Sequence, residues 1–123
     1  MRMKHIVLAG EQWQARALLR AQLIEEGYEV EAHETVAGAL ATLAQVRTLP
    51  ALVIADVAES EDPSADLDNL SAWTKLVPVW LLASRSMLKE EEAREAGIER
   101  IFFRPVDLAG LIAAIQEITG GPQ

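Results

Sequence analysis

The sequence contains no cysteine, which excludes disulfides, thiolate nucleophiles, Cys-based zinc sites and iron–sulfur clusters. Histidine is scarce: His5 and His33 are too few for a multi-His metal centre. Basic residues are outnumbered, with 11 Lys and Arg against 19 Asp and Glu, for a formal net charge of -8. Nucleic-acid binding needs basic surface to neutralise phosphates, and so does docking on anionic lipid, so neither partner is expected. Long hydrophobic runs are missing too. The longest, near Ala51–Ala55 and Val77–Ala83, fall far short of the roughly 20 residues that span a bilayer. Ile6–Ala9, after the basic start, is shorter than the roughly 7–15 apolar residues of a secretory signal. A soluble, cytoplasmic protein is the expectation. The chain also lacks G-x-G-x-x-G, G-x-x-x-x-G-K-[ST] and G-x-S-x-G. The turn Ala9-Gly10-Glu11-Gln12 has one glycine and an acid, a poor phosphate cradle.

What is present suits one packed domain. The chain has 123 residues, 50% hydrophobic and 24% charged. The expected unit is 1–123, with a core over about 4–118 and a tail, 119–123, that frays. Five short apolar runs alternate with five helical segments. The runs are Ile6–Ala9, Tyr28–Ala32, Leu52–Ala55, Val77–Ala83 and Arg100–Phe103. Most are apolar at successive positions, as strands covered on both faces are; Tyr28–Ala32 alternates, which marks an edge strand.

Apolar residues recur at helical spacing in Ala15, Leu18, Leu19 and Leu23, in Ala39, Leu40 and Leu43, and in Leu108, Leu111, Ile112, Ile115 and Ile118. Asp66–Leu76 carries Leu67, Leu70, Trp73 and Leu76 at every third position, and Met87–Ala96 reads as a weaker helix with acids in its first turns. Gly27 and Gly97 fit helix C-terminal positions, and Pro105 precedes the last helix. Five β-α units in this order specify an α/β fold, a doubly wound parallel five-stranded sheet.

Ligands of such sheets bind beyond the carboxyl ends of the strands. Asp56 stands out there, because a carboxylate ending Leu52-Val53-Ile54-Ala55 is costly if buried unpaired. Glu11 reads as an acid of the first helical turn, and Ser84 as a helix N-terminal hydroxyl. Asp56–Asp68 holds six acids in thirteen residues and reads as a solvated, mobile loop. Trp73 and Trp80 read as core, while Trp13, at a helix start, is either a partner contact or buried beneath a loop.

The segment Leu49-Pro50-Ala51-Leu52-Val53-Ile54-Ala55-Asp56-Val57 resembles the third strand of CheY-like response-regulator receiver domains, with Asp56 at the phospho-acceptor position. Glu25-Glu26-Gly27-Tyr28-Glu29-Val30, Val77–Leu82, Glu95-Ala96-Gly97 and Arg104-Pro105 match in the same order, and the similarity runs from about Lys4 to Ile118. The resemblance implies a flavodoxin-like (βα)5 fold and a place in two-component phosphorelay signalling. It also implies a protein partner, a histidine kinase or a downstream signalling protein, met through the fourth helix, last strand and last helix.

Its chemistry does not carry over with the fold. The acidic pair that binds Mg²⁺ at the end of the first strand reads Ala9-Gly10, followed by Glu11. The Thr or Ser position falls on Ala83, with Ser84 next; the Lys position falls on Arg104, before Pro105; the aromatic switch position falls on Ile101. Asp56 and Glu11 could offer Mg²⁺ two carboxylates at most, so only weak binding is expected. Arg104, always charged and able to grip a carboxylate, is expected to pair with Asp56. The resemblance also leaves the Arg104-Pro105 bond as a candidate cis peptide.

The expectation is an atypical, non-enzymatic receiver-like module, phosphorylation-independent or weakly phosphorylatable, that acts through protein–protein interaction. Two alternatives stand beside it: a phospho-accepting, Mg²⁺-dependent receiver using Asp56, and a flavodoxin-like domain binding a small cofactor.

Overall fold

The computed structural model describes residues 3–123; Met1 and Arg2 of the basic start lie outside the described residues. Five strands and five helices alternate: β1 (His5–Gly10), α1 (Trp13–Glu25), β2 (Glu29–His33), α2 (Val36–Leu43), β3 (Leu52–Asp56), α3 (Pro63–Ser71), β4 (Val79–Ala83), α4 (Glu90–Glu95), β5 (Arg100–Phe103) and α5 (Leu108–Thr119). All strand pairs are parallel, in the order β2-β1-β3-β4-β5. The doubly wound sheet expected from the alternation is present, and β2 lies at an edge.

Successive strand residues point to opposite faces, and the core divides accordingly. Val7, Ala9, Val53, Ala55, Val79, Leu81 and Ala83 pack toward α2, α3 and α4. Ile6, Leu8, Leu52, Ile54, Trp80 and Leu82 pack toward α1 and α5, where Leu19, Leu23, Leu111 and Ile115 meet them. Successive apolar residues in β1, β3 and β4 follow, because both faces of these inner strands are dry. Trp80 is fully buried, and Trp73 packs half-buried at the margin of the other layer.

Helix boundaries depart from the sequence reading in three places. The third helix starts at Pro63 and ends at Ser71, not at 66–76. Asp62 caps it by accepting from Ala65 N at 3.1 Å, and Pro63 occupies the first turn, where its missing N–H costs nothing. Most of the acidic stretch expected as a loop is thus cap and helix. Leu76, counted into the apolar stripe, lies past the end and is 59% exposed. The fourth helix is only Glu90–Glu95, with Lys89 at its N-cap. Ser84 therefore caps nothing: its carbonyl accepts from Met87 N and Leu88 N in a separate turn. Likewise α1 begins after Gln12, whose side chain accepts from Ala15 N, so Glu11 precedes the cap instead of sitting in the first turn.

The tail is hydrogen-bonded back to the start of the chain. Gly120 and Gly121 adopt positive φ and turn the chain back on itself, so that the Pro122 carbonyl accepts from Lys4 N at 2.7 Å. The Lys4 ammonium donates to the Thr119 carbonyl. Beneath this junction Thr119 Oγ1 donates to the Ile115 carbonyl, leaving Tyr28 Oη as the donor to Thr119 Oγ1 at 2.7 Å. The fold thus closes at the amino end of the sheet and leaves the carboxyl end open.

Tyr28→Phe removes one buried hydrogen bond and is expected to lower unfolding free energy by about 1 kcal/mol. Leu23→Ala, on the sheet-facing side of α1, should cost about 2–5 kcal/mol. Urea unfolding followed by tryptophan fluorescence checks both.

Candidate functional site

At the carboxyl end of the sheet, alternation puts Gly10, Asp56, Leu82 and Arg104 on the α1–α5 side, one step beyond Leu8, Ile54, Trp80 and Phe102. Gly10 is the register partner of Asp56, and Leu82 is its partner on β4. Arg104 follows β5, two strands from β3, a gap of roughly 10 Å at ~4.8 Å per strand. A long side chain is needed to cross it, and the guanidinium does so.

Arg104 Nη2 donates to Asp56 Oδ2 at 2.7 Å, the distance of a charge-assisted bond. The Asp56 side chain is 8% exposed and that of Arg104 31%. The other carboxylate oxygen, Oδ1, accepts from Ala58 N at 3.1 Å. Arg104 Nη1 donates to Glu59 Oε1 at 3.2 Å, so one guanidinium is shared between two carboxylates. Glu59 is exposed and its bond is screened by water; the energetic weight lies on Asp56. The Arg104-Pro105 peptide is cis.

The positions of the expected site residues divide clearly. Asp56, Arg104 and Pro105 come together as anticipated. Ala83 is fully buried in the layer facing α2, α3 and α4 and presents no hydroxyl. Ser84 bonds to Ser86 Oγ at 2.9 Å. Ile101 packs half-buried against the same layer as Ala83. Glu11 is exposed at the start of the loop after β1. Glu59 was not foreseen, and its only signal was its place three residues beyond Asp56 in an acid-rich segment. Arg16 is a second such residue: its Nη1 donates to the Gly10 carbonyl at 2.5 Å.

The residues present do not fit a Mg²⁺ site of the kind the resemblance implies. Mg²⁺ requires oxygen ligands in near-octahedral array. Ala9 and Gly10 supply no side-chain oxygen, the Gly10 carbonyl is taken by a guanidinium, and Asp56 is neutralised by another. Among the described residues no three His, Asp or Glu side chains group closely enough to hold a metal. Gly10 also admits no substituent easily, since an added Cβ would lie 3.0 Å from Asp56 Cβ.

Beside the ion pair, Ala15, Leu18, Leu19, Leu82, Val106 and Leu111 line an apolar cavity of about 210 Å³ whose polar wall is Asp56 and Arg104. Small-molecule sites run from roughly 300 to 1,000 Å³ with polar groups free to orient the ligand. This cavity is smaller, and its two charged groups are engaged with each other.

Solved structures share this architecture. The chain aligns with the chemotaxis response regulator CheY4 of Vibrio cholerae at 20% identity and a TM-score of 0.78, covering 95% of this chain and 99% of that one. A CheY-like receiver domain protein of Methanospirillum hungatei JF-1 aligns at 19% identity and 0.80, covering 97% and 95%. A receiver domain protein of Clostridium thermocellum aligns at 18% and 0.80, covering 95% and 94%. No protein-family model and no curated protein matches the sequence. The chain has the fold of CheY-like response-regulator receiver domains. No described helix is long and apolar enough to cross a membrane.

Arg104→Met leaves a nearly buried carboxylate without its partner and is expected to cost about 2–4 kcal/mol. With Asp56→Asn in the same chain, the combined loss should fall short of the sum by about 1.5 kcal/mol or more. Glu59→Ala should cost less than about 1 kcal/mol. Gly10→Ala, crowding Asp56, should cost about 1–3 kcal/mol. Denaturant unfolding of the single and double variants measures each. Mg²⁺ titration followed by tryptophan fluorescence should give a Kd weaker than about 1 mM.

Proposed function

We propose that this chain is a non-enzymatic, receiver-like signalling module of the two-component type, that works through protein–protein contact independently of phosphorylation. The observation that carries this reading is the 2.7 Å Arg104–Asp56 pair. Aspartyl phosphate forms when a carboxylate oxygen attacks a phosphoryl group whose spread charge is neutralised by metal and cation. Here Asp56 Oδ2 accepts from a guanidinium and Oδ1 from a backbone N–H, so both candidate nucleophilic oxygens are engaged. A carboxylate held this way, beside Ala9 and Gly10 with no side-chain oxygen to offer a metal, is a weak acceptor and a good structural anchor.

The relay that would report phosphorylation is also without its parts. Ala83 offers no hydroxyl to a phosphoryl group, and Ile101 offers no ring to turn between solvent and core. The arginine therefore stands in for metal and lysine together and holds one arrangement of the strand ends. The partner would be a kinase or downstream protein of that signalling class, met on the face built by α4, β5 and α5. On that face Arg85 stacks 4.3 Å from the centre of the Phe103 ring.

Incubation with acetyl phosphate and Mg²⁺, followed by intact mass measurement, tests the reading. The expected result is no phosphoryl adduct. A stoichiometric adduct that disappears in Asp56→Asn would overturn it and make this a phospho-accepting receiver.

A further inference from the structure

Ala15, Leu19 and Leu23 recur at every fourth position of α1 and so share one face. Leu19 and Leu23 are buried in the layer formed with the sheet and α5. Toward the carboxyl end of the sheet this stripe runs out of side chain, because Ala15 offers only a methyl. The space it leaves is the cavity of about 210 Å³ beside the ion pair, walled otherwise by Leu82 at the end of β4 and by Val106 and Leu111 beyond β5. Leu18 also lines it and is 55% exposed, which puts an opening on the α1 side. Close-packed interiors leave few voids larger than a water molecule, so a gap of this size among buried leucines stands out. It is too small for a nucleotide or a flavin, but an apolar cavity of roughly 150 Å³ already takes benzene.

We infer that this cavity is a binding site for a neutral, single-ring aromatic molecule with one hydroxyl. The apolar walls select the ring. A cavity holds water well when the water finds roughly two to four polar partners. Here the polar wall is Asp56 and Arg104, and both Asp56 oxygens are already bonded, Oδ2 to Arg104 and Oδ1 to Ala58 N. Water is poorly held there, and an apolar ring gains by displacing it.

The polar wall selects against charge. A ligand carboxylate drawn to Arg104 would have to share it with Asp56, 2.7 Å away, and Glu59, 3.2 Å away. A ligand ammonium drawn to Asp56 would meet the guanidinium that already neutralises it. A hydroxyl does neither. Two of the guanidinium's five N–H groups are bonded to carboxylates, and an uncharged oxygen takes up a remaining one without parting the pair. The inference deepens the proposed function and rests on the same closed Arg104–Asp56 pair. A ligand that joins α1 to the β5–α5 connection is the input that a module without phosphoryl chemistry takes instead.

Titration of the full chain with p-cresol, followed by calorimetry and by the amide NMR signals of Leu19, Leu82 and Leu111, tests this. The expected result is saturable one-to-one binding with a Kd of about 0.1–1 mM and shifts centred on those three residues. Toluene should bind within about tenfold of p-cresol, whereas benzoate and benzylammonium should bind at least about tenfold more weakly. Ala15→Leu fills the cavity with a good helix former and should weaken binding at least about tenfold. Leu18→Glu puts a charge at the opening on an exposed position, and should weaken binding even if the larger residue at 15 disturbs folding. Ala17→Leu, exposed and away from the cavity, should leave the affinity unchanged; circular dichroism checks that each variant folds. An absence of saturable binding up to about 5 mM would overturn the inference. So would binding indifferent to both Ala15→Leu and Leu18→Glu, or benzoate or benzylammonium binding as tightly as p-cresol. A phosphoryl adduct from acetyl phosphate would overturn the proposed function, whereas these outcomes overturn the ligand site alone, so the two fail separately.

Discussion

The structure turns on one requirement, that a carboxylate at the end of a strand buried on both faces must be compensated. β3 lies in the centre of the sheet, and Asp56 ends it with a side chain almost closed to water. Left alone, such a charge would cost several kcal/mol. The compensation is a guanidinium delivered from two strands away, and other features of that end accommodate it. Gly10 leaves the space beside Asp56 open, Leu82 floors the gap between β3 and β5, and Pro105 directs the chain from Arg104 into α5.

This solution makes the counter-charge of the strand end a part of the chain itself. A divalent cation and a lysine neutralise charge but can leave or move; a planar guanidinium fixed on one carboxylate and steadied by a second is part of the chain. The strand ends are thereby locked by covalent supply of their own counter-charge. Buried ion pairs of this kind seldom add much net stability over an apolar alternative, but they oppose any arrangement that separates the partners. The opposite end of the molecule is closed by other means, with the tail hydrogen-bonded to the start of β1 over the Tyr28–Thr119 contact.

Much of the architecture was legible along the chain. Apolar runs of four to seven residues separated by helical periodicity have few solutions other than a parallel sheet covered on both sides. The edge position of β2 was legible from its alternation, and Asp56 and Arg104 were legible, through the resemblance, as candidates to pair at two strand ends. Helix limits were less so. Leu67, Leu70, Trp73 and Leu76 continue one spacing past the point where the helix stops, and the true start was marked instead by the cap-and-proline pair Asp62-Pro63. Glu59 and Arg16 could not be singled out, because nothing local separates them from other exposed charges.

The sequence by itself determined the order of elements, the burial of both sheet faces and the shortage of carboxylates at the end of β1, since these follow from residue type and spacing. Tertiary structure alone decided which charges meet. Arg104 is 48 residues from Asp56, and only the strand order together with the alternation of the pleat brings its guanidinium to that carboxylate. It likewise decided that the tail is held, since its partner is Lys4 at the other end of the chain. Local chemistry specifies what each element is; the long-range register specifies what it touches.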